Sequence, residues 1–115
     1  MMTISDDEKQ RRHDYGQRQY RLMLERLDDF LTERLPLMQT IGDLETLLDV
    51  LEDEVDERWA NKFSRLCNDL EVINAVACNR IVTSLSHEEW RESREIVEKL
   101  KRLVIPKIES LPAEE

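Results

Sequence analysis

The sequence predicts an all-α protein, a four-helix up-down bundle, and three observations carry that prediction. Charged residues make up 37% of the chain and aromatics 5%, with two Gly and three Pro among 115 residues, a composition that suits long helices with solvated outer faces better than sheets, which need aromatic and β-branched residues. Apolar residues recur at steps of three and four, the helical period. Capping signals and prolines separate these stripes into four lengths of chain. A chain of 115 residues is of ordinary single-domain size and long enough to bury a core.

The first helix is expected after a loose leader, Met1 to Ser5, in which Ile4 is free to dock. Ser5 followed by Glu8 has the form of a capping box, the hydroxyl accepting from an orphan N–H while the Glu reaches back. The helix then runs through Gly16, a weak point costing about 1 kcal/mol relative to Ala, to Arg34 or Leu35, where Pro36 ends it. Tyr20, Met23, Leu24, Leu27, Phe30 and Leu31 form its apolar stripe. The half before Tyr20 has almost none, so it is expected to fray or to need a partner.

Thr40 or Asp43 is a candidate cap for the second helix, which closes near Glu52 or Asp53. Asp53 or Asp56 then caps a third, with Trp59, Phe63, Leu66, Leu70, Ile73, Ala77, Ile81 and Ser84 on one face. No Gly or Pro interrupts Asp43 to Leu85, so one long central helix of about 60 Å is the alternative. A break at Asp53 to Asp56 is preferred, because uncompensated carboxylates repel one another and gain from lying at a new helix N-terminus. Ser86 with Glu89 is a second capping box, opening a last helix with Trp90, Ser93, Val97, Leu100 and Val104 facing inward. Glu95 with Lys99 and Glu98 with Arg102 support it at spacing four. Pro106 kinks or ends that helix, and residues 106–115 form a tail in which Ile108 and Leu111 are candidates to pack. Stripes long for the chain also make a homodimer an expectation.

Charge is unevenly distributed. From Asp43 to Glu57 there are eight acidic residues and no Lys, Arg or His, so against a net charge of −9 the other hundred residues carry only −1. Leu44, Leu47, Leu48, Leu51 and Val55 share this stretch at helical spacing, which makes the acidity a property of a structured surface. Glu45, Asp49, Glu52 and Asp56 follow one another at steps of four, three and four, one stripe beside the leucines. Three readings are open for it: a solvated face with surplus charge, a docking strip for a basic protein, and a carboxylate metal site. Di-metal bundles pair Glu with Glu-x-x-His from facing helices, and the His partners are missing here. A net negative chain disfavours nucleic acid. No apolar run approaches the roughly 20 residues that span a bilayer, and Met1 to Arg12 lacks the hydrophobic stretch of a secretory signal, so a soluble cytoplasmic protein is expected.

Nothing in the sequence advertises chemistry. His13 and His87 have no second His or Cys at ligand spacing, and no Gly-rich phosphate loop or Gly-flanked serine elbow is present. Cys67 and Cys78, eleven residues apart on one helix, are separated by about 16 Å, too far for a disulfide. Eleven residues is close to three turns, so both are expected half-buried as free thiols on the same side.

Ile41, Gly42, Asp43, Leu44, Glu45, Leu47, Leu48, Leu51, Glu52, Trp59 and Phe63, then Leu70, Glu71, Val72, Ala75, Val76, Ala77 and Arg80, mark a run from Ile41 to Arg80 that covers about a third of the chain. This run resembles a pattern found in short uncharacterised bacterial helical proteins with no assigned activity. The resemblance implies a bacterial helical protein and no mechanism. In charge and size the chain is also similar in type to immunity proteins that neutralise toxic nucleases, and to antitoxins.

The expectation is therefore a non-enzymatic protein-binding module without a cofactor, of the immunity, inhibitor or antitoxin type. Glu45, Asp49, Glu52, Asp53 and Asp56 would meet a basic partner, with Trp90 or Arg80 at the rim. A homo-oligomeric structural bundle and a carboxylate metal-binding bundle are the alternatives.

Overall fold

The computed structural model describes residues 6–51, 55–78 and 85–108, with the side chain of Asp6 excepted. The four helices are α1 (Asp6–Leu31), α2 (Leu37–Val50), α3 (Glu57–Cys78) and α4 (His87–Val104), followed by a 3₁₀ turn over Ile105–Lys107. Each helix packs on the next and α1 also packs on α4, which closes the four-helix bundle that the period of the stripes predicts. Among the described residues no helix is long and apolar enough to cross a membrane.

α1 stops at Leu31, not at Arg34 or Leu35. The cause is Glu33, which adopts a left-handed conformation at φ 61°. That single residue turns the chain so that Glu33 N–H donates to Phe30 O at 3.0 Å and Arg34 N–H to Asp29 O at 2.8 Å, closing the last turn of the helix as a glycine normally would. The first half of α1 is helical, but residues 7–15 are all exposed, in keeping with its lack of an apolar stripe, and cover begins at Gly16. Gly16 is buried, with Leu51 Cδ2 3.8 Å from where a Cβ would sit, and Gln17 Nε2 donates to Lys107 O at 2.9 Å.

α2 begins at Leu37, directly after Pro36, and neither Thr40 nor Asp43 caps it. Pro36 holds the extended φ −70°, ψ 157° of a residue that precedes a helix, so the chain enters helical geometry at once. Thr40 is instead fully buried, its hydroxyl donating to Pro36 O at 2.9 Å, which satisfies a polar group that burial would otherwise penalise.

The long central helix is not formed. α2 ends at Val50 and α3 starts at Glu57, with Asp56 Oδ2 accepting from Trp59 N–H at 3.3 Å as the cap of α3. At α4 both bonds of the capping box are made: Glu89 N–H donates to Ser86 Oγ at 3.1 Å and Ser86 N–H to Glu89 Oε1 at 2.9 Å. Pro106 lies in the 3₁₀ turn that follows α4, and Ile108 packs into the core beyond it.

Met23, Leu27 and Phe30 of α1, Leu44 of α2, Phe63 and Leu70 of α3, and Val97, Leu100 and Val104 of α4 are almost fully excluded from solvent. Trp59 ties one end of the bundle together. It stacks on Phe63 at 5.2 Å, meets Tyr20 edge-on at 5.9 Å, and donates its indole N–H to Leu103 O at 2.9 Å. Because Trp59 starts α3 and Leu103 ends α4, the two helices run antiparallel. The leader Met1 to Ser5 with its capping box, Ile4, Ile81, Ser84 and Leu111 lie outside the described residues.

Candidate protein-binding surface

The described members of the acidic stretch lie along α2 and around the start of α3. Its members differ in what they touch. Asp43, at the margin of the α1–α2 seam, pairs with Arg26 Nε at 3.3 Å, and Arg26 also reaches Asp29 at 3.7 Å. One cation thus serves several acids. Asp56 is occupied as the helix cap, and Glu57 in the first turn of α3 benefits from the unpaired N–H groups there.

Glu45 and Asp49 are exposed on α2 one turn apart. Glu45 makes no ion pair among the described residues. It hydrogen-bonds with Glu71 of α3, and the pair holds the Glu45 carboxyl at a pKa of about 7, first because that hydrogen bond favours a proton on Glu45, then through partial burial and repulsion from the Glu71 and Asp49 charges. Glu45 and Glu71 lie together on a solvated surface with Asp49 one turn away, a local concentration of acidic groups that pairs with no Lys or Arg among the described residues. Asp49, Asp56 and Glu57 likewise make no ion pair among the described residues.

Of the residues expected at a partner surface, Glu45, Asp49 and Asp56 are solvent-facing, whereas Glu52, Asp53 and the rim candidate Arg80 lie outside the described residues. Trp90 is half-buried, its ring 4.9 Å from that of Phe30 and tilted by 43°, so most of its apolar surface is engaged within the bundle. Glu71 is the member that sequence reasoning missed. It lies 26 residues from Glu45 on another helix, and no local spacing connects them.

Cys67 and Cys78 do not share an environment. Cys67 is buried within the α3 stripe, between Phe63 and Leu70, while Cys78, the last residue of α3, is exposed. Burial, reinforced by Glu45 and Glu71, pushes the Cys67 thiol up to about 12, which leaves it without thiolate at physiological pH. His13 and His87 are exposed, and among the described residues no three His, Cys, Asp or Glu side chains come together as a metal site. A scan against protein-family models and searches of curated proteins and solved structures find no match to this chain.

Proposed function

We propose that the chain is a non-enzymatic, cytoplasmic protein-binding module that docks a basic partner on the acidic surface of α2 and the start of α3, as an immunity, inhibitor or antitoxin-like protein does. The observation that supports this reading most directly is the run of exposed acids Glu45, Asp49, Asp56 and Glu57, none of which makes an ion pair among the described residues, with Glu45 set beside the like-charged Glu71 of α3. A like-charge contact costs free energy in the isolated protein, and a Lys or Arg from a partner would relieve it. Asp49, Glu52, Asp53 and Asp56 provide the long-range attraction that orients such a partner.

The test uses a fluorescent Lys-rich helical peptide as the basic probe. Its association rate with the full chain is expected to fall steeply as salt rises, and the variant D49N/E52Q/D53N/D56N, in which Asn at position 56 retains capping ability, is expected to bind about tenfold more weakly. The control removes four charges elsewhere, at Glu88, Glu92, Glu95 and Glu98 on α4. Equal weakening by both variants, or binding indifferent to salt, overturns the proposal.

A further inference from the structure

Although the chain is acidic overall, part of its positive charge is gathered on the side formed by α3 and α4. Lys62 and Arg65 of α3 and Lys99 and Arg102 of α4 rim an open groove of about 440 Å³ floored by Leu66 and Leu103. The four cations are exposed and the two leucines half-buried against the core. Among the described residues none of the four makes an ion pair, so the Glu95–Lys99 and Glu98–Arg102 pairs expected from their spacing are not formed. Asp69 is the one carboxylate on this rim, which leaves it with a net charge of +3.

The groove is held in shape from below. The bond from Trp59 to Leu103 O fixes α3 against α4 at this end, so its width is set by the core and not by the surface side chains. From Lys62 and Arg65, steps of four, three and four lead through Asp69 to Val72 and Val76, which therefore continue the same outer face of α3. Those valines are 64% and 53% exposed, a stretch of apolar surface without a partner inside the bundle.

We propose that this groove is a second docking site, for an acidic amphipathic helix of another protein, whose apolar residues rest on Leu66, Leu103 and Val72 while its carboxylates meet Lys62, Arg65, Lys99 and Arg102. An apolar floor between cationic walls is the complement of a helix with an apolar stripe between acidic flanks. The distance along α3 from Leu66 to Val76, about 15 Å at 1.5 Å per residue, matches roughly three turns of such a helix. A second copy fits less well, because its acidic helix, α2, buries Leu37, Ile41 and Leu44 in its own core and offers carboxylates without an apolar stripe. A nucleic acid supplies anions but nothing aliphatic for the floor, and the net charge of −9 opposes its approach.

The experiment measures binding of a labelled amphipathic peptide of about four turns, built from Leu and Glu, to the full chain by fluorescence anisotropy, with amide chemical shifts recorded in parallel. Binding is expected to shift the amides around Leu66 and Leu103, to weaken about tenfold or more in K62E/K99E, and to disappear when Ser replaces Leu in the peptide. Both substituted side chains are exposed; thermal melts verify the fold, and K62Q/K99Q serves if the reversal perturbs it. The acidic-surface variant D49N/E52Q/D53N/D56N is expected to bind the peptide undiminished, which separates this site from the one proposed above. Absence of binding, binding untouched by K62E/K99E, equal binding of the Ser peptide, or full displacement by an RNA oligonucleotide overturns the proposal. Sedimentation showing a dimer that K62E/K99E dissociates assigns the groove to a second copy instead, and overturns it as well.

Discussion

Glu45 makes the acidity of this chain measurable at a single carboxyl. In the folded protein its pKa is about 7, against 4.5 when unperturbed, so between these values the folded state holds a proton that the unfolded state has released. Stability then falls as pH rises through that window, because the slope of unfolding free energy with pH follows the protons bound in the unfolded state minus those bound in the folded state. The contribution is complete below pH 4.5, and above pH 7 it is lost and the two carboxylates repel. Glu71→Gln keeps a hydrogen-bonding side chain opposite Glu45 and removes the opposing charge. Thermal melts across pH 5 to 8 are expected to show the wild-type midpoint declining relative to that of E71Q, with the divergence centred in the window just given. Parallel curves for the two proteins would mean that the contact does not hold the proton.

The helices begin and end for reasons that differ in how far they are written locally. Glu33 is the instructive case, since the left-handed conformation it adopts costs an L-residue roughly 1–2 kcal/mol. Gly escapes that penalty but gives up about 0.5–1 kcal/mol through the greater freedom of the unfolded chain. Glu33→Gly is therefore expected to stabilise the protein by roughly 0.5–1 kcal/mol, about 2–4 °C in Tm for a domain of this size. Glu33→Val, β-branched at the same φ, is expected to lower Tm, and calorimetry of the two variants checks the sign of both. The end of α1 could not be read in advance, because no Gly or Asn marks it and Glu33 looks like an ordinary helical residue. The start of α4 could, because Ser86 and Glu89 satisfy each other within three residues. Asp56 was legible for the same reason, as a capping side chain acting on its own next turn. Thr40 misled because its hydroxyl bonds backward to Pro36 O instead of forward as a cap.

For the whole molecule, sequence conveyed the segregation of negative charge and the closed ring of helices, since both follow from residues close together in the chain. What it did not convey are juxtapositions across helices: Glu45 against Glu71, and Lys62 and Arg65 beside Lys99 and Arg102. The second of these gathers four cations along one groove of a chain that is acidic overall. On the proposed reading, the acidic face also links partner binding to protons. With its pKa raised to about 7, Glu45 is partly protonated near neutral pH, and a Lys or Arg placed beside it and Glu71 favours the ionised form, so docking expels a fraction of a proton. Calorimetric titration of the Lys-rich peptide into the protein at pH 7, in two buffers of different ionisation enthalpy, is expected to give apparent enthalpies that differ by that fraction of the buffer difference. The difference should vanish at pH 9, where Glu45 is already ionised, and in Glu45→Gln at pH 7. An enthalpy independent of buffer at pH 7 would place the peptide away from this pair and remove α2 from the proposed interface.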